Sequence, residues 1–148
     1  ARTPMQWTDD ENAGFTDGTP WLAMNPNYRQ INVREQEVRT DSVLAYYRRL
    51  VHLRKADAYR ETFTYGIFEP AYQEMADVFA YYRVSGESGQ RILVAANFGT
   101  DAVSLPLAYP CRQVLLSNLR AESAVETACE KANALTLESC EVAVIELG

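Results

Sequence analysis

The spacing of apolar residues changes character part-way along the chain, and that change limits the folds open to it. From residue 62 onward, β-branched and aromatic residues crowd into short runs, at 62–69, 78–84 and 91–98. Between the last two lies Ser85-Gly86-Glu87-Ser88-Gly89, a turn suited to a hairpin. Further strands are predicted over 102–107, 112–118, 134–138 and 142–147, parted by Pro, Gly and polar residues. The Ala-rich stretch 121–133 reads as a loop with at most a short helical turn. Some seven short strands at this spacing make an antiparallel sheet, most simply in two layers.

Before residue 62 the pattern is helical. Thr40-Asp41-Ser42 offers a helix start with Asp41 as N-cap. Val43, Leu44, Tyr47, Leu50 and Val51 then recur at three- and four-residue steps, and cationic residues gather at the far end, where they suit the helix dipole. A helix over 42–56 is predicted, with His52 at the edge of its stripe and facing solvent. Residues 1–39 have neither period. Asp17-Gly18-Thr19-Pro20 and Asn25-Pro26-Asn27 are turns. Trp21, Leu22, Met24, Tyr28, Ile31 and Val33 are apolar groups that an irregular segment cannot bury on its own. Long segments of this kind in compact proteins usually serve function.

A net charge of −6 and the absence of a basic stripe argue against nucleic acid or an anionic membrane as partner. No apolar run approaches the roughly 20 residues of a membrane span. The first residue is not Met and no signal peptide opens the chain, so a cytoplasmic protein cut from something longer is expected. Cys111, Cys129 and Cys140 lack metal-ligand spacing and read as reduced, mostly buried thiols. With one His and no metal motif, neither a metal nor a cofactor is expected.

The opening residues carry the chemistry. Arg2-Thr3-Pro4-Met5-Gln6-Trp7, then Asn12-Ala13-Gly14-Phe15, Pro20-Trp21, Asn25-Pro26-Asn27-Tyr28 and Ile31-Asn32-Val33, closely resemble a signature of bacterial α-glucosidases in the α-amylase superfamily (glycoside hydrolase family 13). Oligo-1,6-glucosidase, dextran glucosidase and trehalose-6-phosphate hydrolase are the nearest types. The resemblance implies that residues 1–58 are the end of a catalytic (β/α)8 barrel, namely a loop and the last helix. It implies that residues 59–148 form a C-terminal antiparallel β-sandwich-like domain. The chain is therefore expected to be mostly β with one main helix. Two departures, Ser139-Cys140 before the last strand and Asn118-Leu119, weaken the assignment to a subfamily.

A retaining glycosidase needs two carboxyl groups about 5–5.5 Å apart across one glycosidic bond. Asp9, Asp10, Glu11 and Asp17 lie in a single acidic turn, with nothing to set two of them on opposed faces. The resemblance places all the catalytic carboxylates upstream, so this chain is expected to be inactive alone. Arg2 remains. A guanidinium is a rigid fork of five donors that can hold a sugar hydroxyl and a carboxylate together. By resemblance, Arg2 reaches the terminal, non-reducing glucose of an α-glucoside oligosaccharide and pairs with an upstream Asp. Gln6 and Phe15 are possible cleft-lining residues, while Trp7 is expected to pack in the scaffold. Tyr72, Tyr82 and Tyr109 are expected to pack at the edge of the core rather than to stack on sugar. The alternative reading is a non-catalytic β-sandwich module that binds carbohydrate or serves as structure. Without the missing barrel, the exposed helix stripe and loop aromatics favour self-association.

Overall fold

In a computed structural model that describes residues 2–148, helical spacing does give way to strands, but the change comes at Gly66. The chain divides into two compact units, Ala1–Leu50 and Val51–Gly148, with the division inside a helix.

The first unit holds two short 3-10 turns, Glu11–Gly14 and Pro26–Arg29, and helix α1, Val33–Glu37. Asn32 caps α1 by accepting the Glu35 N–H at 2.9 Å. Helix α2, Val43–Lys55, matches the predicted 42–56. Its cap is Ser42 and not Asp41. The Ser42 Oγ accepts the Ala45 N–H at 3.1 Å, while the Asp41 carboxylate accepts from Arg39 instead. The α2 stripe includes Val43 and Tyr47, both well exposed, and no residue of α2 is buried. His52 is exposed, as expected.

The second unit continues with α3, Asp57–Tyr65, where sequence had suggested a strand from residue 62. The β-branched and aromatic residues Thr62, Phe63 and Thr64 carry a strand signal, but helical spacing runs through Tyr59, Thr62 and Phe63, all at least half-buried. Gly66 is the true boundary. A Cβ there would lie 2.4 Å from the Thr62 carbonyl oxygen and 3.0 Å from that of Val84, so only glycine lets strand follow helix this closely.

The strands are β1 Ile67–Ala71, β2 Val78–Val84, β3 Arg91–Asn97, β4 Val103–Pro106, β5 Cys111–Ser117, β6 Ala134–Leu137 and β7 Val142–Leu147. Five form one antiparallel sheet in the order β1-β2-β3-β7-β5, and β4 pairs with β6 in a second. The β2–β3 hairpin turns where expected, with the Ser85 N–H donating to the Gln90 carbonyl at 2.8 Å. β1 is an edge strand and carries Pro70, while β5, the other edge, is broken by two register shifts.

The stretch read as a loop at 121–133 is helix α4, Glu122–Ala132. Val125 and Cys129, four residues apart, point into the core, and Asn133 ends the helix in the left-handed conformation at φ 47°. The core lies between the larger sheet, the β4–β6 pair and α4. It gathers Leu93, Ala95 and Ile145 with Leu105, Leu135, Leu137 and Val125. Tyr72 and Tyr82 pack against it, as expected. Cys129 is buried, Cys111 half-buried and Cys140 exposed, all as free thiols.

One polar cluster interrupts this apolar interior. The fully buried Glu141 accepts from Arg120 Nε at 2.9 Å and Nη2 at 2.8 Å, from Ser117 Oγ at 3.1 Å and from the Glu138 N–H at 2.8 Å. Burial alone would push the Glu141 carboxyl up, but Arg120 and these other donors outweigh it and hold the group below its ordinary range.

Candidate functional site

The loop of the first unit is shaped by a run of unusual backbone. Asn12, Ala13 and Gly14 all take positive φ, at 51°, 55° and 64°. Ala13 is fully buried in that conformation, which costs a non-glycine residue of order 1–3 kcal/mol. A ring of main-chain bonds holds it there. The N–H groups of Trp7 and Thr8 both donate to the Ala13 carbonyl, at 2.9 and 3.0 Å, and the Ala13 N–H donates to Asp10 at 3.0 Å. Gly14 is required, since a Cβ would stand 2.6 Å from Thr8 Oγ1. The Asn12 side-chain amide donates to the carbonyls of Thr16 and Gly18, so this residue works as a turn former.

The far side of the loop is tied to the near side. The Val33 N–H donates to the Gln6 carbonyl at 2.9 Å and the Arg34 N–H to the Trp7 carbonyl at 3.0 Å. The Gln6 amide nitrogen donates to Asn27 Oδ1 at 3.0 Å and to the Ile31 carbonyl. The Arg34 guanidinium reaches Asp9 at 2.8 Å through Nη1 and Asp10 at 2.7 Å through Nη2. The Thr8 hydroxyl and then Arg34 hold the Asp10 carboxyl below its ordinary value.

Each expected site residue has a definite place. Arg2 is exposed and, among the described residues, has no ion-pair partner. Gln6 is half-buried and forms part of the wall of an open cleft of about 290 Å³ with Thr3, Pro4, Met5 and Ile31. Arg2 and Phe15 are outside that wall, and Phe15 is 47% exposed. Trp7 is 48% exposed and Trp21 is 89% exposed. Asp9 and Asp10 are engaged by Arg34, while Glu11 and Asp17 are exposed. Among the described residues, no group of three or more His, Cys, Asp or Glu could hold a metal ion, and no helix is long and apolar enough to cross a membrane.

The sheet unit has a hollow of similar size, about 320 Å³, beside Asp77, Asn97 and Asp101. Its one buried polar side chain, Asn97, donates to the carbonyls of Asp101, Leu137 and Glu138 and accepts the Gly99 N–H, so its role is to tie loops together. Tyr109 lies beneath the Arg91 guanidinium, 4.4 Å from its ring centre, and Tyr72 donates to the Pro106 carbonyl at 2.7 Å, so the first is stacked and the second tied down by packing.

Residues 1–66 match the catalytic domain of α-amylase, and this span holds the whole strained loop. These residues belong to the α-amylase catalytic-domain family. The chain is 38% identical over 130 residues to an oligo-1,6-glucosidase of Parageobacillus thermoglucosidasius, an alignment covering 85% of this chain. It is 39% identical over 126 residues to a glucan 1,6-α-glucosidase of Streptococcus pneumoniae, again over 85% of the chain. It spans 22% of the length of each relative. Among solved structures, the isomaltulose synthase of Klebsiella sp. superposes with a TM-score of 0.82 and 33% identity, over 99% of this chain and 25% of the synthase. That superposition takes in both the α-amylase-family segment and the sheet that follows it. The expected fold therefore holds: the end of an α-amylase-type catalytic domain followed by an antiparallel β domain.

Proposed function

We propose that the chain is the C-terminal part of a retaining α-glucosidase that removes terminal α-linked glucose from short oligosaccharides in the cytoplasm. Residues 1–58 complete the catalytic barrel, and residues 59–148 are its supporting β domain. The observation that carries this reading is the exposed Arg2 at the head of a loop whose sequence and strained turn lie within the α-amylase-family match. A guanidinium can hydrogen-bond a sugar hydroxyl while pairing with a carboxylate, and so hold the ring in place without joining bond cleavage. Phe15, thirteen residues further on, offers a half-exposed apolar face, and Gln6 serves mainly to brace the loop.

The reaction's nucleophile and acid/base belong to earlier parts of the polypeptide, and the 148-residue chain alone is inactive. Hydrolysis is the reaction named for the curated relatives, an oligo-1,6-glucosidase and a glucan 1,6-α-glucosidase, which supports this reading. The test is turnover of a chromogenic α-glucoside by this chain and by the full-length gene product, side by side. Activity only in the full-length protein supports the reading, and activity in this chain overturns it. In the full-length protein, Arg2→Ala is expected to lower kcat/KM about 100-fold, the scale of a misplaced substrate. Full activity in that variant would remove Arg2 from the site.

A further inference from the structure

One contact in the first unit is unlike the other surface ion pairs. Arg39–Asp41 joins residues two apart and Arg60–Asp57, in the second unit, residues three apart, while Arg48–Glu37 joins α2 to α1 across eleven residues through a single nitrogen. Arg34 joins α1 to a turn 24 and 25 residues earlier, and it does so with both terminal nitrogens on two successive carboxylates. Successive side chains in an extended chain point to opposite sides. The bend at Asp9 and Asp10 turns both carboxylates toward a single planar fork. The main-chain bonds from Val33 and Arg34 to Gln6 and Trp7 run alongside, so the segment from Gln6 to Asp10 is fastened to α1 by backbone and side chain together.

We propose that Arg34 is a positioning residue for sugar binding: by locking the Asp9–Asp10 turn to the start of α1, it fixes where Arg2 stands. The inference rests on the reading of Arg2 as the substrate contact. Arg34 itself touches no substrate. Its partners are 56% and 64% exposed, and exposed pairs add little to stability, so its effect is on geometry and is screened by salt. The Asp10 carboxylate stays charged for this role because Thr8 and Arg34 both favour its ionised form.

The test uses the full-length gene product and a chromogenic α-glucoside. Arg34→Gln is expected to raise KM about tenfold with little change in kcat, the pattern for lost uniform binding, while the melting temperature moves by less than about 2 °C. Arg34→Lys, whose single ammonium cannot fork across two carboxylates, falls between the two. Raising salt from about 0.05 to 0.5 M should raise KM in the parent but not in Arg34→Gln. Asp41→Asn, which removes another exposed pair, should leave KM unchanged. Amide hydrogen exchange at Trp7 and Thr8 should quicken in Arg34→Gln. An unchanged KM in Arg34→Gln, an equal rise in Asp41→Asn, or unchanged amide exchange would each overturn the inference. If Arg2→Ala is crippled while Arg34→Gln is normal, only this inference fails. If Arg2→Ala is also normal, the proposed sugar contact fails with it.

Discussion

In residues 51–148, thirteen buried apolar side chains share one core between two sheets and a helix. In residues 2–50 the buried residues are only Pro4, Ala13, Asn32 and Ser42. The sheet unit is held by non-directional burial, which tolerates small shifts of each side chain. The loop unit is held by directional bonds: the Asn32 and Ser42 caps, the Gln6 amide, the Arg34 fork and a strained turn closed on the Ala13 carbonyl. Bonds of this kind fix atoms to tenths of an ångström but contribute little net stability each. The proposed role of Arg2 calls for the second kind of construction, and the proposed supporting role of the sheet unit for the first.

Substitutions can test that contrast from both sides. The largest expected effect comes where the sheet unit departs from its own rule. Arg120→Ala strands the fully buried Glu141 carboxylate and should destabilise this unit by about 3–5 kcal/mol in urea denaturation. The same pair sets the acid response. Because the folded-state pKa of Glu141 is depressed, its contribution is complete above the ordinary glutamate range and is lost as pH falls through the lower, folded-state value. Thermal melts from pH 6 down to pH 3 should show this loss, and Glu141→Gln should flatten it.

Leu105→Ala, at a fully buried core position, should cost about 3 kcal/mol by the same denaturation assay. A smaller cost there would mean that the core collapses around the vacancy. The loop unit answers to backbone conformation instead. Gly14→Ala places a Cβ at φ 64° and against Thr8, and should cost about 1–2 kcal/mol, read as faster amide exchange at Trp7 and Thr8. If exchange there is unchanged, the turn is held by something other than its glycine.

Much of the sheet was legible in the sequence because its strands alternate and its turns carry Gly, Pro and Ser. Helix α2 was legible from its three- and four-residue stripe. Two helices were not. In α3, Thr62-Phe63-Thr64 carries strand-like residue types, and the decisive signal was Gly66, whose role depends on Val84 eighteen residues later. In α4, the buried stripe is made of Val125 and Cys129 among alanines, too weakly apolar to stand out, and Asn133 was the clue to its end. The N-cap was misplaced by one residue because Asp41 is engaged by Arg39.

At the site, the loop's importance came through resemblance and turn chemistry. The roles of Gln6, Asn32 and Arg34 were not legible. Gln6 and Arg34 bond to residues 21 to 25 positions away, and no local pattern reports such a pairing. Asn32, the cap of α1, also ties back to the Tyr28 carbonyl and starts a helix of only five residues, too short to leave a period.

The two edges of the larger sheet bear on how the protein behaves when crowded. An open strand edge is a template on which another chain can add its own backbone, the first step toward fibrils. Here one edge strand contains Pro70, which has no N–H to donate, and the other is kinked at Cys111/Gln113 and again at Val114/Leu116. Neither offers a straight, complete ladder. Growth of ribbons of shared backbone between copies of this chain is therefore disfavoured at both edges.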